Sequence, residues 1–160
     1  MNEGGEAHDT DPTVTVESVF RRIHRERMAG LPICNPALTV RATGFQRWQG
    51  DWVGALVLPW AINLLVVPGG GAFRAVSVGQ VQRWAFPSGT YDFMGSREAG
   101  LGPYQCCSLY SPVGDFDTQA EAEAVAQAAL THLLAPSPEA RAVPFDRRAF
   151  LRTALGRGRS

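Results

Sequence analysis

Three cysteines are the side chains in this sequence best suited to redox or metal chemistry. Cys106 and Cys107 are adjacent within an apolar stretch, and Cys34 stands alone. An odd number of cysteines without a Cys-x-x-Cys pair is typical of a reducing compartment and argues against a disulfide framework. Neighbouring residues on a strand point to opposite faces, so Cys106 and Cys107 are poorly placed to bind one metal ion. We expect at most one of them to face the core, where it acts as a small hydrophobic residue.

The other polar residues do not form a catalytic motif. The histidines, His8, His24 and His132, lack the sequence context of a catalytic triad or a zincin helix. Residues 75–79 lack the first glycine of a nucleophile elbow. The Pro-Gly-Gly-Gly run at residues 68–71 is not followed by Gly-Lys-Ser/Thr, which favours a turn between strands over a phosphate-binding loop.

Tryptophan and tyrosine are concentrated in the middle of the chain. Such rings combine a large apolar area with a polar group, and they serve both small hydrophobic cores and protein–protein interfaces. Composition alone favours the core. The residues are Trp48, Trp52, Trp60, Trp84, Tyr91, Tyr104 and Tyr110.

These side chains must be positioned by two helices and a β-rich region. The first helix is predicted to begin with Thr15 as its N-cap and to end at Gly30, and the second to begin at a capping box of Thr118 and Glu121. A hairpin turn is predicted at residues 48–52. The pattern predicts an α+β fold, with an antiparallel β-sheet of five to seven short strands flanked by an N-terminal and a C-terminal helix. Strands are predicted over residues 38–43, 51–58, 63–67, 73–78, 81–86, 90–94 and 105–110.

Composition and charge limit the class of protein. The chain has 160 residues, 45% of them hydrophobic, and a net charge of zero. Residues 1–19 carry five acidic side chains and no basic one, whereas residues 141–160 carry six arginines and one aspartate. We therefore predict an acidic disordered tail (1–14), a single α+β domain (15–135) and a Pro/Arg-rich linker with a basic tail (136–160). The balanced middle argues against a nucleic-acid partner, and the lack of a long apolar run or secretory signal predicts a cytoplasmic protein without membrane insertion.

Short motifs occur in a fixed order between residues 19 and 134. They are Leu31-Pro32, Asn35-Pro36-Ala37-Leu38, Gly44-Phe45, Pro59-Trp60-Ala61-Ile62-Asn63-Leu64, Pro68-Gly69, Phe86-Pro87-Ser88-Gly89-Thr90-Tyr91, Gly102-Pro103-Tyr104, Cys107-Ser108-Leu109-Tyr110-Ser111-Pro112 and Phe116. In this order they resemble the HybE family of [NiFe]-hydrogenase assembly chaperones. Some members of that family carry a C-terminal rubredoxin domain, but its Cys-x-x-Cys pairs are absent here, so no iron centre or other cofactor is expected.

The resemblance implies a cytoplasmic accessory protein that is not an enzyme. Such a chaperone serves the maturation of a membrane-bound [NiFe] uptake hydrogenase. The implied partner is the small-subunit precursor with its twin-arginine signal, or else the large-subunit precursor or other maturation factors. The alternative is a small redox or metal-cluster-delivery protein that acts through Cys106 or Cys107.

Seven residues are the predicted partner contacts: Pro59, Trp60, Asn63, Tyr104, Cys107, Arg147 and Arg148. Pro59 should end the strand of residues 51–58, which would leave Trp60 partly exposed on a bend and allow Asn63 to bond the local backbone. Arg147 and Arg148 lie in Asp-Arg-Arg-Ala-Phe-Leu-Arg, which resembles a twin-arginine export motif at the wrong end of the chain. Two interpretations are open: a solvated basic tail that matches by chance, or a mimic that occupies the groove of the client signal.

Overall fold

The computed structural model describes residues 7–136, which form one six-stranded antiparallel sheet with a helix on each face. The strand order is β1-β2-β3-β6-β5-β4, so β1 and β4 are the two edges. The predicted α+β architecture is confirmed. The elements are α1 (Thr13–Ile23), a π-helical segment (His24–Met28), β1 (Arg41–Trp48), β2 (Asp51–Leu58), β3 (Ala61–Val67), β4 (Val81–Phe86), β5 (Gly89–Glu98), β6 (Gly102–Tyr110) and α2 (Gln119–Leu134).

Helix α1 begins two residues before the predicted N-cap. The Asp11 carboxylate accepts a hydrogen bond from the Thr13 N–H at 2.8 Å, and Pro12 holds the backbone at φ −85° directly before the helix. The prediction of Thr15 as N-cap is therefore wrong, because an aspartate followed by proline starts the helix earlier. The helix packs one apolar stripe on the sheet: Val16, Val19, Phe20 and Ile23.

Helix α2 begins at the predicted capping box. The Thr118 hydroxyl accepts a hydrogen bond from the Glu121 N–H at 3.1 Å. The return bond differs from the usual box, because the Glu121 carboxylate accepts from the N–H of Asp117 rather than from that of Thr118. The buried stripe of α2 is Ala122, Val125, Ala126, Ala129, Leu130 and Leu133.

The β1–β2 hairpin turns at Gln49 and Gly50, which have φ values of 49° and 92°. Two successive positive φ angles are those of a type I′ turn, whose twist suits a hairpin. β2 covers residues 51–58, as predicted, and is buried along its whole length.

No strand forms over residues 73–78, so that prediction is wrong. Side chains occupy the backbone groups that a strand would offer to a neighbour. The Gln82 amide bonds to the N–H of Arg74 and the C=O of Ala72, and the Gln105 amide donates to the C=O of Arg74. Two core glutamines therefore hold this segment as a loop.

Each face of the sheet has its own apolar core. The α2 face carries the larger core, which includes Trp84, Phe86, Tyr91 and Phe93. The α1 face carries a second core, formed by α1, β1, β2, β3 and Tyr104 of β6. Helix α1 contacts β1 and Tyr104 of β6, and within residues 7–136 no helix packs on the outward side chains of β4.

Neither helix within residues 7–136 combines the length and the apolar character that a membrane crossing demands.

Candidate functional site

The uncovered half of the α1 face is the candidate site, and we call it the open face. It consists of the outward side chains of β4, β5 and the end of β6. Exposure of the side chains rises along one row of paired residues from the sheet centre to its edge: Leu65 0%, Cys106 partly buried, Met94 49% and Val81 50%. Val81 and Met94 thus form an exposed apolar pair, and exposed apolar patches are typical of interaction surfaces.

The charges on the open face are paired with each other. The Arg83 Nε lies 3.0 Å from the Asp92 carboxylate on the neighbouring strand. The guanidinium holds the pKa of Asp92 below its usual value, and the carboxylate in turn raises the pKa of Arg83. At the boundary with α1, Arg27 pairs with Glu98 at 2.7 Å. The ion pair of Arg83 and Asp92 therefore lies beside the exposed apolar pair of Val81 and Met94 on this face.

Trp60 lies at the end of the sheet beside the π-helical segment. Pro59 and Trp60 form the two-residue turn between β2 and β3, as the predicted strand end at Pro59 requires. Trp60 is partly exposed, and its ring lies 5.9 Å from that of His24, the first residue of the π-helical segment. Pro59 is buried, and its C=O accepts a hydrogen bond from the Asn35 N–H. π-Helical segments are frequent at functional sites, which favours a functional role for this end of the sheet.

Asn63 lies on the α1 side of the sheet, and Trp60 packs against the core of that same side. It is partly exposed on β3, where it stands between Leu56 and the exposed Ser108. Its side-chain amide makes no hydrogen bond to another residue within 7–136, so the predicted bond to local backbone does not form. The amide is therefore available to a partner.

Tyr104 is a core residue. It is 6% exposed, and its ring meets that of Phe20 edge-on at 5.8 Å. Burial raises the pKa of Tyr104 to about 12, against the smaller opposite effect of a hydrogen bond with Ser96. Contact with a partner through this side chain would therefore require α1 to move.

Cys106 and Cys107 pack against different cores on opposite faces of the sheet, as the strand geometry predicts for neighbours. The expectation that at most one faces a core is wrong, because both faces of this sheet are covered near β3. Burial raises the pKa of the Cys106 thiol, which keeps it protonated at neutral pH. No group of three or more metal-ligating side chains occurs among the described residues.

The glycine-rich segment after β3 binds an internal carboxylate. Asp51 is fully buried and accepts hydrogen bonds from the N–H groups of Gly69, Gly71 and Phe73 at 2.9–3.0 Å. The N–H groups that a phosphate would need are thus already used. A Cβ on Gly71 would lie 2.3 Å from the Gln49 carbonyl oxygen, so the close approach of the two turns requires glycine there.

The sequence predicted Trp60 and Asn63 as partner contacts, whereas Val81, Met94 and Ser108 of the open face were not among the predicted residues. The alternation of exposed and buried residues along β4 and β5 is visible in the sequence. It did not reveal which outward face α1 would leave uncovered. Arg147 and Arg148 lie outside the described residues.

The chain is similar in sequence and in structure to known proteins. The family model described as "[NiFe]-hydrogenase assembly, chaperone, HybE" matches residues 11–153. The hydrogenase expression/formation protein HupJ of Bradyrhizobium diazoefficiens is 39% identical over 144 residues, which cover 85% of this chain and 84% of that protein. The probable rubredoxin HupJ of Rhodobacter capsulatus is 38% identical over 115 residues, and the match spans 71% of this chain but only 41% of that protein. The solution structure of HybE from Escherichia coli has a TM-score of 0.66 at 25% identity, and covers 89% of this chain and 93% of its own.

Proposed function

This chain belongs to the HybE family of [NiFe]-hydrogenase assembly chaperones, and we propose that it binds the small-subunit precursor of a membrane-bound uptake hydrogenase before assembly and export. The family and its hydrogenase expression/formation relatives support a role in hydrogenase maturation. No catalytic step is part of this role. Because the precursor is held before export, we place the protein in the cytoplasm.

The observation that carries the proposal is the open face. A sheet whose other half is covered by α1 leaves Val81 and Met94 about half exposed, although both sit in regular strands. An export signal contains an apolar stretch, and such a stretch can remove these side chains from water. A precursor that occupies the open face would thus hide its own apolar segment until export.

Trp60 and Asn63 supply the specific contacts in this proposal. Trp60 offers a large, partly exposed ring in the β2–β3 turn on the α1 side of the sheet, and tryptophans commonly dominate binding energy at interfaces. Asn63 offers one carbonyl and one NH₂ group that no other described residue uses, and these fit the backbone of a bound peptide. Pro59 positions both by ending β2 before the turn.

The test is recovery of a tagged form of this chain from cells that express the hydrogenase. We expect the small-subunit precursor to co-purify, and a precursor without its twin-arginine signal to be lost from the complex. The processed small subunit serves as the matched control, since it lacks the signal but keeps the folded domain. Recovery of the large-subunit precursor alone would contradict the proposed client while leaving the family assignment intact.

A further inference from the structure

The two edge strands of the sheet, β1 and β4, differ in whether their backbone groups are protected from pairing with another strand. Along β1, a bulge interrupts the register between Thr43 and Gln46, and the Ala42 N–H donates to the Glu17 carboxylate at 2.9 Å. Next to β1, the Gln119 side chain bonds both backbone groups of Thr39. Bulges and side chains that occupy the backbone are the usual means by which proteins block an edge from pairing with another strand.

Between Val81 and Phe86, β4 has neither form of protection; a bulge lies just before the strand, where Gly79 and Gln80 both bond to Gly95. Its register with β5 is continuous from Val81 to Phe86, without a bulge. Within residues 7–136, no side chain or loop forms a hydrogen bond with the backbone of β4, whose recorded bonds belong to the ladder with β5. The edge lies directly beside the open face.

The backbone groups that β4 presents outward can be assigned. The Gly95 N–H donates to the C=O of Gln80, and the Gly95 C=O accepts from the N–H of Gly79, so this bulge takes the place of a hydrogen-bonded pair in the ladder. Hydrogen-bonded and non-hydrogen-bonded pairs alternate along an antiparallel ladder. The next residues that bond to β5 are therefore Gln82, Trp84 and Phe86, and the N–H and C=O groups of Val81, Arg83 and Ala85 point away from the sheet.

We propose that β4 binds an extended segment of the hydrogenase precursor as a seventh strand. This inference rests on the proposed function and adds the mode of binding. A row of outward N–H and C=O groups with a spacing of two residues is satisfied by another extended backbone and not by a helix. The added strand would place alternate side chains beside Val81, Arg83 and Ala85, so its apolar residues would extend the open face.

The second occupant that fits an open edge is another copy of this chain. An antiparallel pair of two β4 strands centred on Arg83 would set two guanidinium groups opposite each other, which is unfavourable. A precursor segment can set an uncharged or acidic side chain opposite Arg83, so it need not meet this repulsion. A client strand is therefore the occupant that we propose.

The test measures amide hydrogen exchange of the ¹⁵N-labelled protein with and without a synthetic peptide that carries the twin-arginine signal of the hydrogenase small subunit. On binding, we expect the amides of Val81, Arg83 and Ala85 to exchange at least about tenfold more slowly. The amides of Gln82 and Trp84 are already bonded to β5 and should change little. This alternation distinguishes strand addition from general burial of the surface.

A pair of variants provides an independent readout. Ala85→Pro removes one outward N–H at an edge position that tolerates proline, and it should weaken peptide binding at least about fivefold. Ala85→Val keeps the N–H, so a loss of binding in Ala85→Pro that exceeds any loss in Ala85→Val is assigned to the backbone group. If Ala85→Pro fails to fold, the exchange pattern of the parent chain still decides the matter.

Three results would overturn the inference. Peptide binding without protection of the three outward amides would remove strand addition while leaving the proposed function in place. Protection of these amides in the free protein, together with a dimer in sedimentation, would assign the edge to a second copy. Absence of binding by the peptide and by the full precursor would remove the proposed function as well.

Discussion

The ring of Trp48, at the end of β1, stacks on the ring of Phe86, at the end of β4, with centroids 4.3 Å apart. These strands are opposite edges of the sheet, and four strands separate them. The sheet must therefore curl toward its α2 face, where Trp84 joins the contact at 6.2 Å from Trp48. The curl closes the larger core and leaves the α1 side of β4 turned outward.

Truncation of this contact should destabilise the fold without affecting binding. We expect Trp48→Ala to lower the free energy of unfolding by about 2–4 kcal/mol, because a large, partly buried ring leaves a cavity in the aromatic cluster. Trp48→Phe keeps a ring to stack on Phe86 and should cost roughly half as much. Urea denaturation gives both values. A neutral Trp48→Ala variant would show that the stack does not hold the curl.

Truncation of Trp60 is expected to weaken binding rather than to unfold the protein. Trp60→Ala should weaken precursor binding by about 2 kcal/mol or more, roughly 30-fold in Kd, as truncation of an interface anchor does. Titration calorimetry with the signal peptide measures the change, and Trp48→Ala, which alters the other face, is the control for indirect effects of lost stability. Unchanged affinity in a folded Trp60→Ala protein would assign Trp60 to the α1-side core alone.

The thiols should be dispensable for hydrogenase maturation. We expect Cys106→Ser and Cys107→Ser proteins to support normal hydrogenase activity, with a loss of stability of about 1–3 kcal/mol where the new hydroxyl lacks a partner. Because burial raises the pKa of Cys106, this thiol should also react with iodoacetamide more slowly at pH 8 than a free cysteine does. Loss of maturation in a stable, soluble serine variant would favour the redox or cluster-delivery alternative.

Asp51 should be the most sensitive acidic residue of the described fold. Its two carboxylate oxygens accept three backbone N–H groups, and an asparagine would turn an NH₂ group toward at least one of those donors. We expect Asp51→Asn to cost about 2–4 kcal/mol in thermal or urea unfolding. The matched control is Asp92→Asn, which removes an exposed ion pair and should cost less than about 1 kcal/mol. Equal effects of the two variants would show that the three backbone hydrogen bonds to Asp51 contribute little to stability.

The raised pKa of Tyr104 leads us to expect that the folded protein loses stability in alkaline solution. Its phenol has a pKa of about 12 in the folded protein and 10 as its ordinary value, so the folded state holds the proton more tightly. The contribution is complete below pH 10 and is lost as the pH rises toward 12, with a loss of about 1.4 kcal/mol by pH 11. Urea unfolding at pH 9 and pH 11 should show this extra loss in the parent chain relative to Tyr104→Phe. The same pH slope in both proteins would mean that other groups control the alkaline transition.

Local interactions explain which elements could be predicted from the sequence. The capping box of Thr118 and Glu121 involves residues three apart, and the turn at Gln49 and Gly50 depends on glycine's access to positive φ. The bounds of β2 and β4 follow from turn residues that directly flank each strand. Such interactions act within a few residues, so the sequence by itself determined these helices, turns and strands.

Contacts between residues distant in sequence decided the features that could not be predicted. Residues 73–78 have the composition of a strand, but the amides of Gln82 and Gln105 occupy their backbone. Cys106 and Cys107 both contact a core because helices from the two ends of the described domain cover opposite faces of one sheet. The open face exists because α1 packs on β1 and on Tyr104 of β6 and not on β4, and the open edge exists because the order β6-β5-β4 leaves β4 outermost. Alternation along a strand shows that two faces differ, whereas only the tertiary packing of distant elements decides which face and which edge stay uncovered.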